Sequence, residues 1–507
     1  MKNVMEYLEA SAQKYPNHLA VKDINKTITY EELLKNAQKV GSGLLNINIQ
    51  RNSPVPVLME KSINALESFF GIIYAGCFYV LLNPDLPVSR LQQIINTLEA
   101  KYLITDDHYK TLAKSLINDN KILNINDLSS SLIDEEKINK VRKEMINTDP
   151  LYANFTSGST GVPKGVVISH QSVIDFIDEF VPLFQISHDD IIGNQAPFDF
   201  DVSVKDIYSS LKASSTLIII PKSLFSLPVD LLDFLCQEKI TTMIWAVSAL
   251  CLITTFHGLD YKVPHTVKRI LFSGEVMPMK HLKAWMKALP ETEFVNLYGP
   301  TEITCNCTYH KIDKTRNYES GIPIGKPFNN ERVILLSENN ECIYDDRIGE
   351  ICVTGSALAL GYFSDFQTSK KSFIQNPVNK YYYERIYRTG DLGYYNEDGE
   401  LYFHGRKDFQ IKHMGHRVEL EEIENAIMQE DGVERACCVF DESKGRLFAF
   451  YIGHADALTL HKTLSQKLPV YMVPRRIQVL HHLPITKNGK IDRKELLKLT
   501  VRKKNEL

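Results

Sequence analysis

Thr156-Ser157-Gly158-Ser159-Thr160-Gly161-Val162-Pro163-Lys164-Gly165 lies between two short apolar runs, residues 151–155 and 166–168. It gathers hydroxyls, three glycines and one lysine into a single loop. Glycine lets the backbone turn its N–H groups inward and form a concavity that attracts anions. The hydroxyls add donors and the lysine a mobile positive charge, a combination suited to phosphate. The spacing is not that of the Walker A loop, in which Gly-Lys-Ser/Thr opens a helix. The flanking runs are short and strand-like, so the sequence predicts a strand–loop–strand unit in an α/β fold. A flexible Gly/Ser surface turn is the competing reading.

A chain of 507 residues exceeds what one hydrophobic core usually supports, so at least two domains are expected. Apolar content of 44% and charged content of 24% are those of an ordinary globular protein. A net charge of −4 gives no sign of a nucleic-acid-binding surface, and the basic cluster at Arg502, Lys503 and Lys504 reads as a solvated tail. The longest uncharged apolar run, residues 69–82, is too short for a transmembrane segment and is broken by Gly71 and Gly76. It reads as a buried helix running into a core strand. The first residues lack the apolar centre of a signal peptide. Nine cysteines show no paired metal-ligand spacing and read as small buried hydrophobes, with Cys305 and Cys307 alternating on a strand. A reducing, cytoplasmic location is the expectation.

Helical and strand-like patterns alternate, which predicts α/β layers. Helical spacing covers residues 31–45, 66–74 and 172–184; strands are expected at 55–59, 102–105, 216–220 and 242–245. Residues 112–147, charged and poorly patterned, read as a surface excursion. Residues 349–355 and 399–403 look like a smaller β-rich subdomain. A boundary is expected near Arg406-Lys407-Asp408, dividing the chain into 1–407 and 408–507. The second part opens with helically spaced Leu420, Ile423, Ala426 and Ile427, enough for a small mobile α+β lid.

Four further motifs follow the loop in order: residues 296–302 (Asn-Leu-Tyr-Gly-Pro-Thr-Glu), 387–391 (Tyr-Arg-Thr-Gly-Asp), 405–412 (Gly-Arg-Lys-Asp-Phe-Gln-Ile-Lys) and 488–493 (Asn-Gly-Lys-Ile-Asp-Arg). The set resembles the adenylate-forming superfamily, and within it the amino-acid-activating adenylation domains of nonribosomal peptide synthesis. Its strongest likeness is to the stand-alone D-alanine–carrier protein ligases. The resemblance runs from residues 28–33 to Lys494 and implies ATP, Mg²⁺ and a carrier protein bearing phosphopantetheine. It assigns Thr156 to Gly161 and Lys164 to the ATP phosphates, and Gly274, Glu275, Asn296, Leu297, Tyr298, Gly299 and Pro300 to the nucleotide. Thr301 reaches the α-phosphate, Glu302 the Mg²⁺, and Asp391, with Arg406, the ribose; Phe403 stands where tyrosine is common. Lys490 is the implied catalytic residue, Asp408 the hinge, and Gly415 the lining of the thiol's path. Ordinary roles compete: a turn aspartate at Asp391, a surface pair at Arg406, an exposed lysine at Lys490.

For the substrate, the resemblance carries over Asp201 as the ammonium anchor and Val202, Lys205, Leu271, Ser273, Leu297, Cys305 and Asn306 as pocket walls. Whether Ile244 or Trp245 completes the set is not decided by the sequence. Asp201 or Asp199 as a mere helix cap is the competing role. Val202, Ser273 and Leu297 together are similar to serine-selecting pockets. Lys205 replaces a usual neutral residue; it either meets an acidic substrate side chain or snorkels to solvent. Alanine or serine is favoured, an acidic amino acid third. With no carrier domain seen in the sequence, a separate carrier protein is expected. An acyl-coenzyme A ligase, a luciferase-type oxidative enzyme and a nucleotide-binding regulatory relative stay open as alternatives.

Overall fold

The apolar run 69–82 breaks where Gly76 takes φ +72° and donates its N–H to Ile73 O, ending the helix Ile63–Tyr74. A side chain at Gly76 would press on Val141 and Arg51, so glycine suits both the turn and the packing. The chain then re-enters the core as the strand Phe78–Leu82, buried along its whole length. Ser62 caps this helix through the Ala65 N–H, and Thr29 with Glu32 forms a capping box on the helix Tyr30–Asn46.

The computed structural model describes every residue except 159–161, 319–320, 443, 486–490 and 501–507. It divides into two compact units. The first comprises residues 1–83, 98–154 and 165–407; the second comprises 84–97, 155–164 and 408–507. The sequence expected a cut at residue 408, and the second unit in addition takes in two earlier segments.

In the first unit, a seven-stranded sheet runs in the order Gly361–Tyr362, Lys164–Ser169, Pro150–Thr156, Phe78–Leu82, Pro54–Leu58, Leu103–Thr105, Ile122–Asn124. The last of these corrects the expected surface excursion: Ile122–Asn124 pairs in parallel with Leu103–Thr105 and widens the sheet, and Asp134 caps a helix, Glu135–Glu144. The charged residues there belong to the exposed faces of real elements.

A nine-stranded sheet has a parallel centre formed by Glu293–Tyr298, Arg269–Ser273, Thr242–Ala246, Ile191–Asn194, Thr216–Ile219 and Leu19–Lys22. Ligands in such sheets gather at the carboxyl ends of parallel strands. The expected small β-rich part is a six-stranded antiparallel sheet built around Gly349–Gly355 and Arg385–Tyr395, with Leu401–Arg406 on the latter's edge.

The second unit has its own core of Val418, Ile423, Ile427, Cys438, Leu464 and Met472. A three-stranded sheet (Val433–Asp441, Arg446–Gly453, Arg476–Val479) packs with the helices Leu420–Met428 and Ala457–Lys467. The ribbon Gln410–His413/His416–Glu419 turns through Met414 (φ +54°) and Gly415 (φ +81°), the tight hairpin that needs two left-handed residues. Among the described residues no helix is long and apolar enough to cross a membrane.

Candidate functional site

In the first unit a buried polar cluster is assembled from the start of the helix Val202–Ala213, the carboxyl ends of two parallel strands and the loop 299–307. Asp201 occupies the N-cap position with helical backbone angles (φ −61°, ψ −21°), and its side chain makes no capping bond. The alternative role as a helix cap is therefore excluded for Asp201, which is buried. Lys205 is 0% exposed, which corrects the snorkelling alternative. Its Nζ donates to Asn306 Oδ1 at 2.5 Å and to Ser273 Oγ at 3.4 Å. Val202, Leu271, Leu297 and Cys305 are buried as well.

The loop that delivers Cys305 and Asn306 is not the expected strand. Thr304 (φ +54°) and Cys305 (φ +75°) are both left-handed, and Asn306 N–H returns to Thr304 O at 3.0 Å. A β-branched residue in this region is strained, and such strain persists only where its surroundings fix it. Here Thr304 Oγ1 donates to Ala357 O (2.7 Å) and Cys305 Sγ to Asp201 O (3.0 Å). Gly299 closes the arrangement, because a Cβ there would lie 2.5 Å from Asn306 Cα.

Strand register decides the position that sequence could not. Ile244 pairs with Leu271 and Ala246 with Ser273 in parallel, so their side chains share one face of the sheet. Trp245 points to the opposite face, where its Nε1 donates to Gly193 O at 2.8 Å. Ile244, not Trp245, shares the face of Leu271 and Ser273.

The sequence reading missed a second polar layer. Lys61 Nζ donates to Asn194 Oδ1 (3.1 Å) and Gln195 O (2.9 Å), and Asn194 Nδ2 donates to Asp206 Oδ2 (2.7 Å). Burial pushes the Asp206 carboxyl up to about 7, against the pull of Asn194, Lys205 and Lys61. Burial likewise lowers the Lys61 ammonium to about 7. The sequence signal was a Lys three residues past the strand Pro54–Leu58.

A second cluster in the same unit centres on Asp391. It lies inside the strand Arg385–Tyr395, not in the expected loop, and pairs in register with Arg406. Tyr298 O–H donates to Asp391 Oδ2 at 2.6 Å, and Arg406 Nη1 meets Oδ1 at 2.5 Å. Burial and the neighbouring carboxylate push the Tyr298 phenol well above its usual range. The Phe403 ring lies 6.4 Å from that of Tyr298, tilted 40°. Asn296 Nδ2 donates to Pro323 O at 2.9 Å. Glu302 is buried in the single turn Thr301–Ile303 that follows Pro300, and its Oε1 accepts from Tyr362 O–H at 2.8 Å. Gly274 takes φ +98° with open space where a side chain would stand, and Glu275 beside it is half-buried. Among the described residues no group of three His, Cys, Asp or Glu side chains gathers as a metal nest.

The second unit holds the loop and its surroundings. Ser157 Oγ donates to Arg417 O at 2.8 Å, while Gly158 N–H donates to Glu422 Oε2 at 3.2 Å. A Cβ on Gly158 would lie 2.3 Å from Val162 O, so only glycine fits. Arg90 pairs with the other oxygen of Glu422, and both side chains are buried. Thr156 and Lys164 are half-buried at the loop's two ends. Asp408 Oδ1 accepts from Gln410 N–H at 3.2 Å, and Gly415 sits at the ribbon's tip. Ser159, Thr160, Gly161 and Lys490 lie outside the described residues.

Residues 8–363 match the family described as AMP-binding enzyme, and residues 422–490 match the AMP-binding enzyme C-terminal domain. The chain belongs to the AMP-binding enzymes. Zwittermicin A synthase ZmaJ of Bacillus cereus is 32% identical to this AMP-binding enzyme over 506 residues, covering 97% of this chain and 94% of that protein. Surfactin synthase subunit 1 of Bacillus subtilis (strain 168) is 29% identical over 500 residues. It matches 98% of this chain, which spans only 14% of the synthase's length. The fold is that of the Vibrio cholerae adenylation domain AlmE in complex with glycyl-adenosine-5′-phosphate (TM-score 0.85, 22% identity, 99% of this chain and 98% of that one). It is equally that of the Bacillus subtilis o-succinylbenzoate CoA synthetase MenE (TM-score 0.84, 19% identity, 98% of each chain). These findings support an adenylation ligase similar to those of nonribosomal peptide synthesis.

Proposed function

We propose that this AMP-binding enzyme joins a small α-amino acid to AMP, with release of pyrophosphate. It then passes the aminoacyl group to the phosphopantetheine thiol of a separate carrier protein. A carboxylate oxygen of the amino acid attacks the α-phosphorus of ATP as the bond to pyrophosphate breaks. No protein nucleophile is required; positioning and charge neutralisation supply the catalysis. Asp201 carries this reading: it is a buried carboxylate not spent on its helix cap, suited to an ammonium. Opposite a fatty or aryl acid the same anion would be costly.

In this reading Thr156 to Gly161 and Lys164 bind phosphates, Thr301 reaches the α-phosphate, and Lys490 bridges it to the substrate carboxylate. Asp391, held by Tyr298 and Arg406, receives the ribose hydroxyls. Tyr298 and Phe403 flank the adenine. Mg²⁺ is held by few protein carboxylates together with substrate phosphates, so the buried Glu302 would fit it. When bound, the ion offsets phosphate charge. Alanine and serine are the favoured substrates, in keeping with the likeness to D-alanine–carrier protein ligases. Asp408 serves as hinge, and Gly415 leaves room for the thiol.

Amino-acid-dependent exchange of pyrophosphate into ATP tests the proposal. Exchange with alanine or serine, and none with octanoate or coumarate, is the expected result. Exchange with the latter acids alone would overturn it.

A further inference from the structure

The loop that carries the left-handed Thr304 is supported from behind by one short segment. Thr304 Oγ1 donates to Ala357 O at 2.7 Å, and Ala359 N–H donates to Glu302 O at 2.9 Å. The Ala357 N–H in turn donates to Glu331 Oε1 at 3.0 Å. Glu331 opens the strand Glu331–Leu336 and pairs in register with Gly355, two residues before Ala357. One carboxyl thus grips the peptide on which the strained loop leans, and such strain persists only where its surroundings impose it.

The second oxygen of Glu331 identifies the state in which the grip works. Oε2 is buried and has no hydrogen-bond partner. A Cβ on Gly355 would lie 2.4 Å from that oxygen and 2.5 Å from Asn330 O, so two acceptors crowd one point. A proton on Oε2 turns one acceptor into a donor and removes the conflict. The ionisable groups facing this carboxyl are Asp175 on the helix His170–Leu183 and the buried Cys307 thiol. Neither is a cation. Burial, with the like charge of Asp175, pushes the Glu331 carboxyl up to about 8, against the pull of the Ala357 N–H.

We propose that Glu331 is a positioning residue for the loop 301–306 and that it acts as the neutral acid, holding Ala357 and through it Thr304. On ionisation the carboxylate is repelled by Asn330 O and Asp175, and the loop loses its support. Thr301, read above as reaching the α-phosphate, stands in that loop. The effect on rate therefore rests on that reading, whereas the effect on the loop itself does not.

The test follows pyrophosphate exchange with alanine and serine from pH 7 to 9, and hydrogen exchange of residues 301–307 over the same range without substrate. The wild-type rate is expected to fall about tenfold across that range as one group near 8 ionises, with protection of the loop falling in parallel. Glu331→Gln keeps an acceptor for Ala357 and sets an N–H where the proton stood. It is expected to be as active as the wild type at pH 7 and to lose the alkaline fall, while Glu331→Ala is impaired at every pH. Lys61 and Asp206, which titrate near 7, act alike in all these proteins. Asp175→Asn removes the facing charge and is expected to move the fall to lower pH, which decides where Glu331→Gln does not fold. A fall shared in full by Glu331→Gln, or unmoved in Asp175→Asn where the first variant does not fold, overturns the inference, as does a wild type with no fall. Absence of exchange with every amino acid brings down the proposed function, and the substrate-free hydrogen exchange then decides this inference by itself.

Discussion

Gly299 and Asn306 touch backbone to backbone, so the smallest substitution in the loop has a defined consequence. Gly299→Ala sets a Cβ 2.5 Å from Asn306 Cα, and the loop must move. Overpacking of this kind costs about 1–3 kcal/mol. The expected result is a lower melting temperature and a raised KM for the amino acid in the exchange assay; unchanged values would mean the loop yields freely. At this scale the sequence was most informative at Tyr298, Asp391 and Arg406, which its motifs named and the fold brings together. It was least informative at Lys205. A lysine read from sequence is expected in water, but the helix Val202–Ala213 is buried from Val202 to Leu211, so no face is left for the side chain to leave by. Lys61 and Asp206 were illegible for the same reason: their interaction depends on strand ends far apart in sequence.

The helix Leu420–Met428 supplies Glu422, whose carboxylate is shared between Arg90 and the Gly158 N–H. Burial raises the Glu422 carboxyl above its ordinary range, while Arg90 opposes the rise. Arg90→Ala leaves that charge without its guanidinium. Removing one partner of a buried pair costs about 3–5 kcal/mol. Hydrogen exchange is expected to show lost protection in residues 410–428, whereas protection matching the wild type would remove the pair from any stabilising role. Elements with local signals were legible. Thr29 and Glu32 announce a capping box, and the apolar spacing behind them gives the helix Tyr30–Asn46. The strand Ile122–Asn124 was missed because three residues are too few for alternation to register, and its place is set by pairing with Leu103–Thr105. The Cys305–Cys307 segment imitates a strand in composition, but left-handed backbone turns it.

On the scale of the whole molecule, acid sensitivity is expected from His170, which is fully buried at the start of the helix His170–Leu183. Its Nδ1 accepts from Val4 N–H at 3.4 Å, and its Nε2 has no hydrogen-bond partner. Burial lowers the imidazole from 6.5 to about 3, with Asp149 pulling the other way. Between these values the unfolded chain binds a proton that the folded one refuses, so stability falls as pH drops below 6.5. At pH 5 the loss from this group is about 2 kcal/mol, from 1.36 kcal/mol per pH unit. Urea midpoints at pH 7.5 and 5 are expected to differ less for His170→Asn than for the wild type; equal shifts would clear the histidine. The α/β layering was anticipated from pattern, whereas the scattered make-up of the second unit was not. Residues 84–97 and 155–164 carry no mark of the unit they join, because their partners lie beyond residue 407. Arg90 and Glu422 stand 332 positions apart. At synthesis rates of about 5–20 residues per second, the arginine leaves the ribosome roughly 17–66 s before its carboxylate exists. For that interval the nascent chain presents an unmatched cation, an opening for chaperones that closes only once Glu422 has been made.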